Sequence, residues 1–140
     1  MSNNSTIYED VLQLQEQMAE VQGQIESVQG QLTDTGWIDL PLSNGITAYS
    51  EEQKPRYRRI GKEVFLSGVF KGVTANNTPV GTLPEGFRPS KKIMYCVPSV
   101  SQCMSRISIT SDGIITHERA TVEPLNAANW HSIAYNFTID

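Results

Sequence analysis

The chain has 140 residues, room for one ordinary domain and one extended element, and a formal net charge of −4. Residues 1–53 hold nine acids and no Lys or Arg, whereas residues 54–140 hold eleven bases against six acids. The basic half has one tight cluster, Arg56, Arg58 and Arg59, without a nucleic-acid motif, so nucleic acid is set aside and the cluster reads as a solvated strand face or a contact with an anionic polymer. The first ten residues lack the basic and apolar regions of a secretory signal, and no apolar run approaches the roughly 18–20 residues of a membrane span. These features predict synthesis as a soluble protein in a cytoplasm, with no membrane insertion.

In chain order, the first element is a heptad seam. Ile7, Val11, Leu14, Met18, Val21, Ile25, Val28 and Leu32 alternate by four and three, with Val11, Met18, Ile25 and Leu32 at a and the others at d. Three of the four d residues are β-branched, which disfavours two strands and points to a parallel trimer. The e and g positions from 15 to 31 are all Gln (Gln15, Gln17, Gln22, Gln24, Gln29, Gln31), so no flanking charge code selects a different partner and a homotrimer is expected. Gly23 and Gly30, both at f, each cost about 1 kcal/mol of helix propensity relative to Ala, so association must hold the helix together. At ~1.5 Å per residue the stalk spans roughly 40 Å.

Thr33 to Gly36 supplies a helix stop, which sets the expected boundary between a stalk, 1–36, and a head, 37–140. From there the period changes to two. A strand is predicted over 37–42, then a hairpin of 57–60 with 64–70, a loop at 76–79, and a proline-rich bend at 83–89 with Leu83 and Phe87 as core plugs. Strands are further expected at 92–97, 106–110 and 114–117, the last two joined by a tight Asp112-Gly113 turn, and at 130–139. The chain's end directly after this last strand suggests that it lies within the sheet. The fold class is mainly β with an N-terminal α-helix: a trimeric coiled-coil stalk followed by an antiparallel β-barrel or sandwich head. Cys96 and Cys103, seven apart, match no zinc or redox spacing and read as two buried thiols, with a late disulfide left open.

The inventory for catalysis is thin. His117 and His131 are the only histidines, and no nucleophile elbow, zinc-protease run or phosphate loop occurs. A carboxylate pair for sugar cleavage could be drawn from Asp112, Glu118 and Glu123, but a chain with 15 acids always permits one. A binding role without metal or cofactor is therefore expected. Sugar recognition asks for planar hydrogen-bonding groups and aromatic faces at a rigid edge. The 106–119 ribbon offers Arg106, Ser108, His117, Glu118 and Arg119, and Trp130 opens the final strand. Each residue has a plain structural reading, as a solvated strand residue or core anchor; their clustering makes them saccharide-binding candidates.

Several ordered motifs resemble a known family. The stalk, a first strand opening on Trp37, the run Pro55-Arg-Tyr-Arg-Arg-Ile-Gly-Lys-Glu-Val-Phe-Leu-Ser-Gly68, then Leu83-Pro-Glu-Gly-Phe-Arg-Pro89, Ile109-Thr-Ser-Asp-Gly113 and Phe137-Thr-Ile-Asp140 are similar to the receptor-binding proteins of long-tailed phages of Gram-positive bacteria, lactococcal type. The resemblance implies a homotrimeric tail-tip or baseplate protein whose amino terminus docks on other baseplate proteins and whose head attaches the virion to host cell-wall polysaccharide near subunit boundaries. Arg106 and Ser108 stand where a relative has His and Asp, and His117 falls about where the family has an aromatic. The alternatives are a structural tail adaptor that binds no glycan and a polysaccharide-cleaving spike.

Overall fold

The computed structural model describes residues 3–139, with the side chains of residues 3–5 and 30–32 outside the description, so the predicted seam is described except at Leu32. The chain divides into two units, Met1–Thr33 and Asp34–Asp140.

The first unit is one helix, Asn3–Leu32, called α1. In the single chain its described seam residues stand in solvent, from 45% exposed at Val11 to 70% at Met18. Gly23 has open space where a side chain would project, as befits a position turned away from the seam. The Thr33 hydroxyl closes the last turn by donating to the Gln29 carbonyl at 2.9 Å.

The second unit starts three residues before the expected boundary, because Asp34 to Gly36 are bonded into it. Asp34 bridges Ile60, the Thr35 amide donates to the Arg59 carbonyl at 2.9 Å, and Arg58 pairs with the Asp34 carboxylate. That guanidinium and the Gly36 amide hold the Asp34 carboxyl down at about 2. Gly36 takes the left-handed backbone, φ +70°, that a helix stop calls for.

Eleven strands follow: β1 (Ile38–Asp39), β2 (Thr47–Ala48), β3 (Arg56–Ile60), β4 (Glu63–Ser67), β5 (Val69–Lys71), β6 (Thr78–Thr82), β7 (Ile93–Pro98), β8 (Met104–Ile109), β9 (Ile114–Ala120), β10 (His131–Ser132) and β11 (Tyr135–Thr138). They form three antiparallel sheets, ordered β1-β3-β4-β11, β10-β5-β2 and β6-β9-β8-β7. Two single bridges, Leu42 to Gly81 and Ser99 to His131, link the third sheet to residues outside it. No closed barrel exists among the described residues; the head is a set of open sheets around one core.

Four expectations change with this topology. The arm expected over 64–70 is two strands in two sheets, because Gly68, at φ +122°, breaks the run where a Cβ would lie 2.5 Å from the Pro55 Cα. The final strand is likewise divided: β10 pairs β5, β11 pairs β4, and each sits at a sheet edge rather than inside. Residues 78–82 form β6 despite Pro79, because the strand is on a sheet edge and bulges there, so the missing amide costs no ladder bond. Cys96 is exposed and Cys103 half-buried, both free thiols rather than core residues, since outward positions alternate with buried Tyr95 and Val97 on β7.

Phe70, Leu83, Ile107, Ile109, Ile115 and Ile133 are fully buried at the centre of the core. The bend performs as expected: Leu83 plugs the interior and Phe87 meets Tyr57 edge to face at 4.9 Å. The arginine cluster serves the fold. Arg56 pairs with Asp39 at 3.1 Å, Arg58 with Asp34, and Arg59 donates to the Gly61 and Gly86 carbonyls at 2.6 and 2.7 Å.

Candidate functional site

The candidate ribbon is the β8–β9 hairpin. Its two strands pair Ser105 with Ala120, Arg106 with Arg119, and Ile107 with His117, with a bulge that inserts Glu118. Alternation sends Ser105, Ile107, Ile109, Ile115 and His117 to the interior and Met104 and Arg106 to the surface. The predicted site residues are thereby divided. Arg106 and Ser108 stay together, whereas His117 faces the core.

On the outer side Glu118 organises the polar groups. Its carboxylate accepts from Arg106 Nε at 2.9 Å and from the Ser108 hydroxyl, and Lys92 Nζ stands 3.6 Å away. Burial pushes the Glu118 carboxyl up, and the Ser108 hydroxyl, Arg106 and Lys92 together outweigh it, leaving the group below its ordinary value. Ser108, buried beneath this cluster, is a support for Glu118 rather than a ligand contact. Arg106 keeps half its side chain in solvent.

On the inner side His117 and His131 are fully buried, their rings 4.3 Å apart, with Phe70 packed on both. Ser105 Oγ lies 2.7 Å from His131 Nδ1 and 3.1 Å from His117 Nε2. One hydroxyl donates only once, so it donates to one ring and accepts from the other. Among the described residues the two remaining ring nitrogens, His117 Nδ1 and His131 Nε2, have no partner. Burial pushes both imidazoles down, and the neighbouring ring adds to this at His131, which falls to about 4. The pair is a core element and is not open to a surface ligand.

Three hollows lie beside this sheet. One of about 460 Å³ lies between Trp130, Cys96, Pro98, Gln102, Cys103 and Met104. A second, about 410 Å³, shares Cys96 and Met104 and adds Arg106, Arg119 and Thr121. Arg119 and Ala120 also line a third, about 670 Å³, whose other walls are residues 74–76 and 122–125. Arg106 and Arg119 line the second hollow, and Trp130 lines the first, which shares Cys96 and Met104 with it. Cys96, Met104 and Asn76 were not anticipated, the first two because they read as strand residues and Asn76 because it lies in a loop without local pattern; Glu123 was named only among the carboxylates considered for sugar cleavage. Among the described residues no cluster of three metal-ligating side chains occurs, and no helix is long and apolar enough to cross a membrane.

No protein-family model matches the chain, and no curated protein matches it. Solved structures do. The receptor binding protein of Listeria phage PSA superposes with a TM-score of 0.62 at 16% identity, covering 92% of this chain and 77% of that one. The head domain of lactococcal phage bIL170 superposes with a TM-score of 0.56 at 19% identity, covering 74% of this chain and 97% of that one. The fold is shared with phage receptor-binding proteins. At these identities individual site residues do not carry over.

Proposed function

We propose that this protein is a phage tail-tip or baseplate receptor-binding protein, without catalytic activity, that attaches the virion to host cell-wall saccharide. The observation that carries this reading is the likeness of the head to receptor-binding heads of phages of Gram-positive bacteria. The helix supports a homotrimer: an apolar seam of seven described residues, each about half or more exposed, needs two further copies to cover it. Its amino-terminal end is the part left to dock on other baseplate proteins. Three heads on one stalk multiply weak individual sites through effective concentration. Arg119, Arg106 and Trp130, along the strip of hollows, are the proposed saccharide contacts, with Ser108 and His117 now assigned to structural support.

A pull-down on isolated Gram-positive cell walls tests the reading. The full chain should bind walls and block phage adsorption, and Arg119→Ala should weaken both without loss of folding. Absence of wall binding across a panel of strains, with a correctly assembled trimer, would overturn it.

A structural adaptor is the second reading. Met94, at 59% exposure, and Met104, at 52%, flank Cys96 on the outer face of β7 and β8, an apolar strip suited to a protein partner. That reading requires capture of another tail protein through this face and no affinity for walls.

A further inference from the structure

We propose that, within the strip of hollows, the hollow between residues 74–76 and 119–125 is a subsite for a neutral polyhydroxylated ligand, a sugar or polyol, held by the Arg119 guanidinium together with the Glu123 carboxylate and the Asn76 amide. It rests on the receptor-binding reading and names the chemistry of one part of that surface.

The walls are fixed before any ligand arrives. The Gly72 amide donates to the Ala127 carbonyl at 3.0 Å, tying the two loops together, and the Asn77 amide donates to the Glu118 carbonyl at 3.0 Å. Thr78 Oγ1 donates to the Ala75 carbonyl at 2.8 Å, which closes the turn that presents Asn76. On the opposite wall Met104 N donates to Thr121 Oγ1 at 2.9 Å, and Asn129 Nδ2 reaches the Pro124 carbonyl at 3.4 Å. A hollow of about 670 Å³ with tethered walls falls within the roughly 300–1,000 Å³ range of small-molecule sites, and its preorganisation lowers the ordering cost of binding.

The polar groups inside are unused by the fold. Among the described residues the other five arginines each donate to a carboxylate or carbonyl of the chain, while Arg119 has no such partner. Glu123 and Asn76 are exposed and likewise free of side-chain bonds, and Arg119 and Glu123 line one hollow without pairing with each other.

Their combination selects the ligand class. An anion would gain Arg119 but meet the Glu123 carboxylate, and a cation would meet the reverse. A neutral polyol satisfies both: vicinal hydroxyls accept from the guanidinium fork and donate to the carboxylate, and the amide does either. Val122, Pro124 and Leu125 supply apolar surface for the C–H face of a sugar ring.

The test follows backbone amide resonances of the isotope-labelled full chain during titration with galactose, N-acetylglucosamine and glycerol as neutral probes, and glycerol phosphate as the anionic one. At least one neutral probe should give saturable shifts confined to residues 74–76 and 119–125. Glu123→Gln and Asn76→Ala should each weaken that probe roughly ten-fold, the effect of one hydrogen bond to a charged or fixed polar group. The assignment is overturned if no neutral probe moves these amides, if glycerol phosphate alone does, or if Glu123→Gln tightens binding. Wall binding by the wild-type chain alongside any of these results leaves the receptor reading standing and removes only the subsite; absence of wall binding removes the receptor reading itself.

Discussion

Acid should loosen the head through His131 before any carboxylate titrates. The imidazole is fully buried, bonded through Nδ1 to Ser105 and 4.3 Å from the ring of His117, with Phe70 on its face. Among the described residues no carboxylate pairs with either ring, and the Glu118 carboxylate is engaged on the outer face by Arg106 and Ser108. A depressed folded value means that above 6.5 neither state holds the proton and the full stability is present. As pH falls below 6.5 the unfolded chain takes the proton first, and stability declines until the folded value of about 4 is passed. A shift from 6.5 to about 4 corresponds to roughly 3 kcal/mol in total, with about 2 kcal/mol already lost at pH 5. His117, also pushed down by burial, adds in the same direction. Urea denaturation at one chain concentration, followed by tryptophan fluorescence between pH 7 and 5, measures the slope in a window above the ordinary carboxylate range. His131→Asn should flatten it. A wild-type stability unchanged from pH 7 to 5, or an equal slope in His131→Asn, would refute the reasoning.

Further expectations concern the stalk, one turn and the outer cluster. Ile25→Asp places a carboxylate at every copy's contribution to the proposed trimer axis, and sedimentation velocity should show monomer while near-ultraviolet circular dichroism of the head persists. Gly113→Ala forces a side chain at φ +85°, with its Cβ 2.4 Å from the Leu83 carbonyl oxygen, and should cost about 1–3 kcal/mol in the same urea assay. Arg106→Ala removes one of the donors to the nearly buried Glu118 carboxylate; because Arg106 itself is half in solvent, the loss should be about 1 kcal/mol. Arg119→Ala, at an exposed guanidinium without a partner in the fold, should change stability by less than about 0.5 kcal/mol.

Periodicity made some of this molecule legible in one dimension. The four-three repeat from Ile7 to Val28 predicts a helix with an uncovered apolar seam, and such a helix is present with that seam in solvent. The Asp112-Gly113 turn, the Gly61 turn and the plugs at Leu83 and Phe87 were likewise readable, because each depends on residues adjacent in the chain. Short-range chemistry is written directly in sequence.

Pairing partners are not. Alternation across 64–70 and 130–139 marks extended chain, yet Gly68 and the break at residues 133–134 send the two halves of each run to different sheets, since a strand's neighbours are set by packing of the whole core. The same limit applied to the candidate site. His117, Arg106 and Ser108 sit on one ribbon in sequence, but a bulge at Glu118 and the pleat decide which face each side chain takes, so that His117 joins His131 and Ser105 inside while Arg106 and Ser108 bind Glu118 outside. Sequence alone determined that this chain carries a seven-residue helical repeat and a β-rich head. Which polar groups the head consumes internally, and which it leaves free at Arg119, Glu123 and Asn76, only tertiary packing decided, because satisfying a buried carboxylate or imidazole depends on partners that lie far apart along the chain.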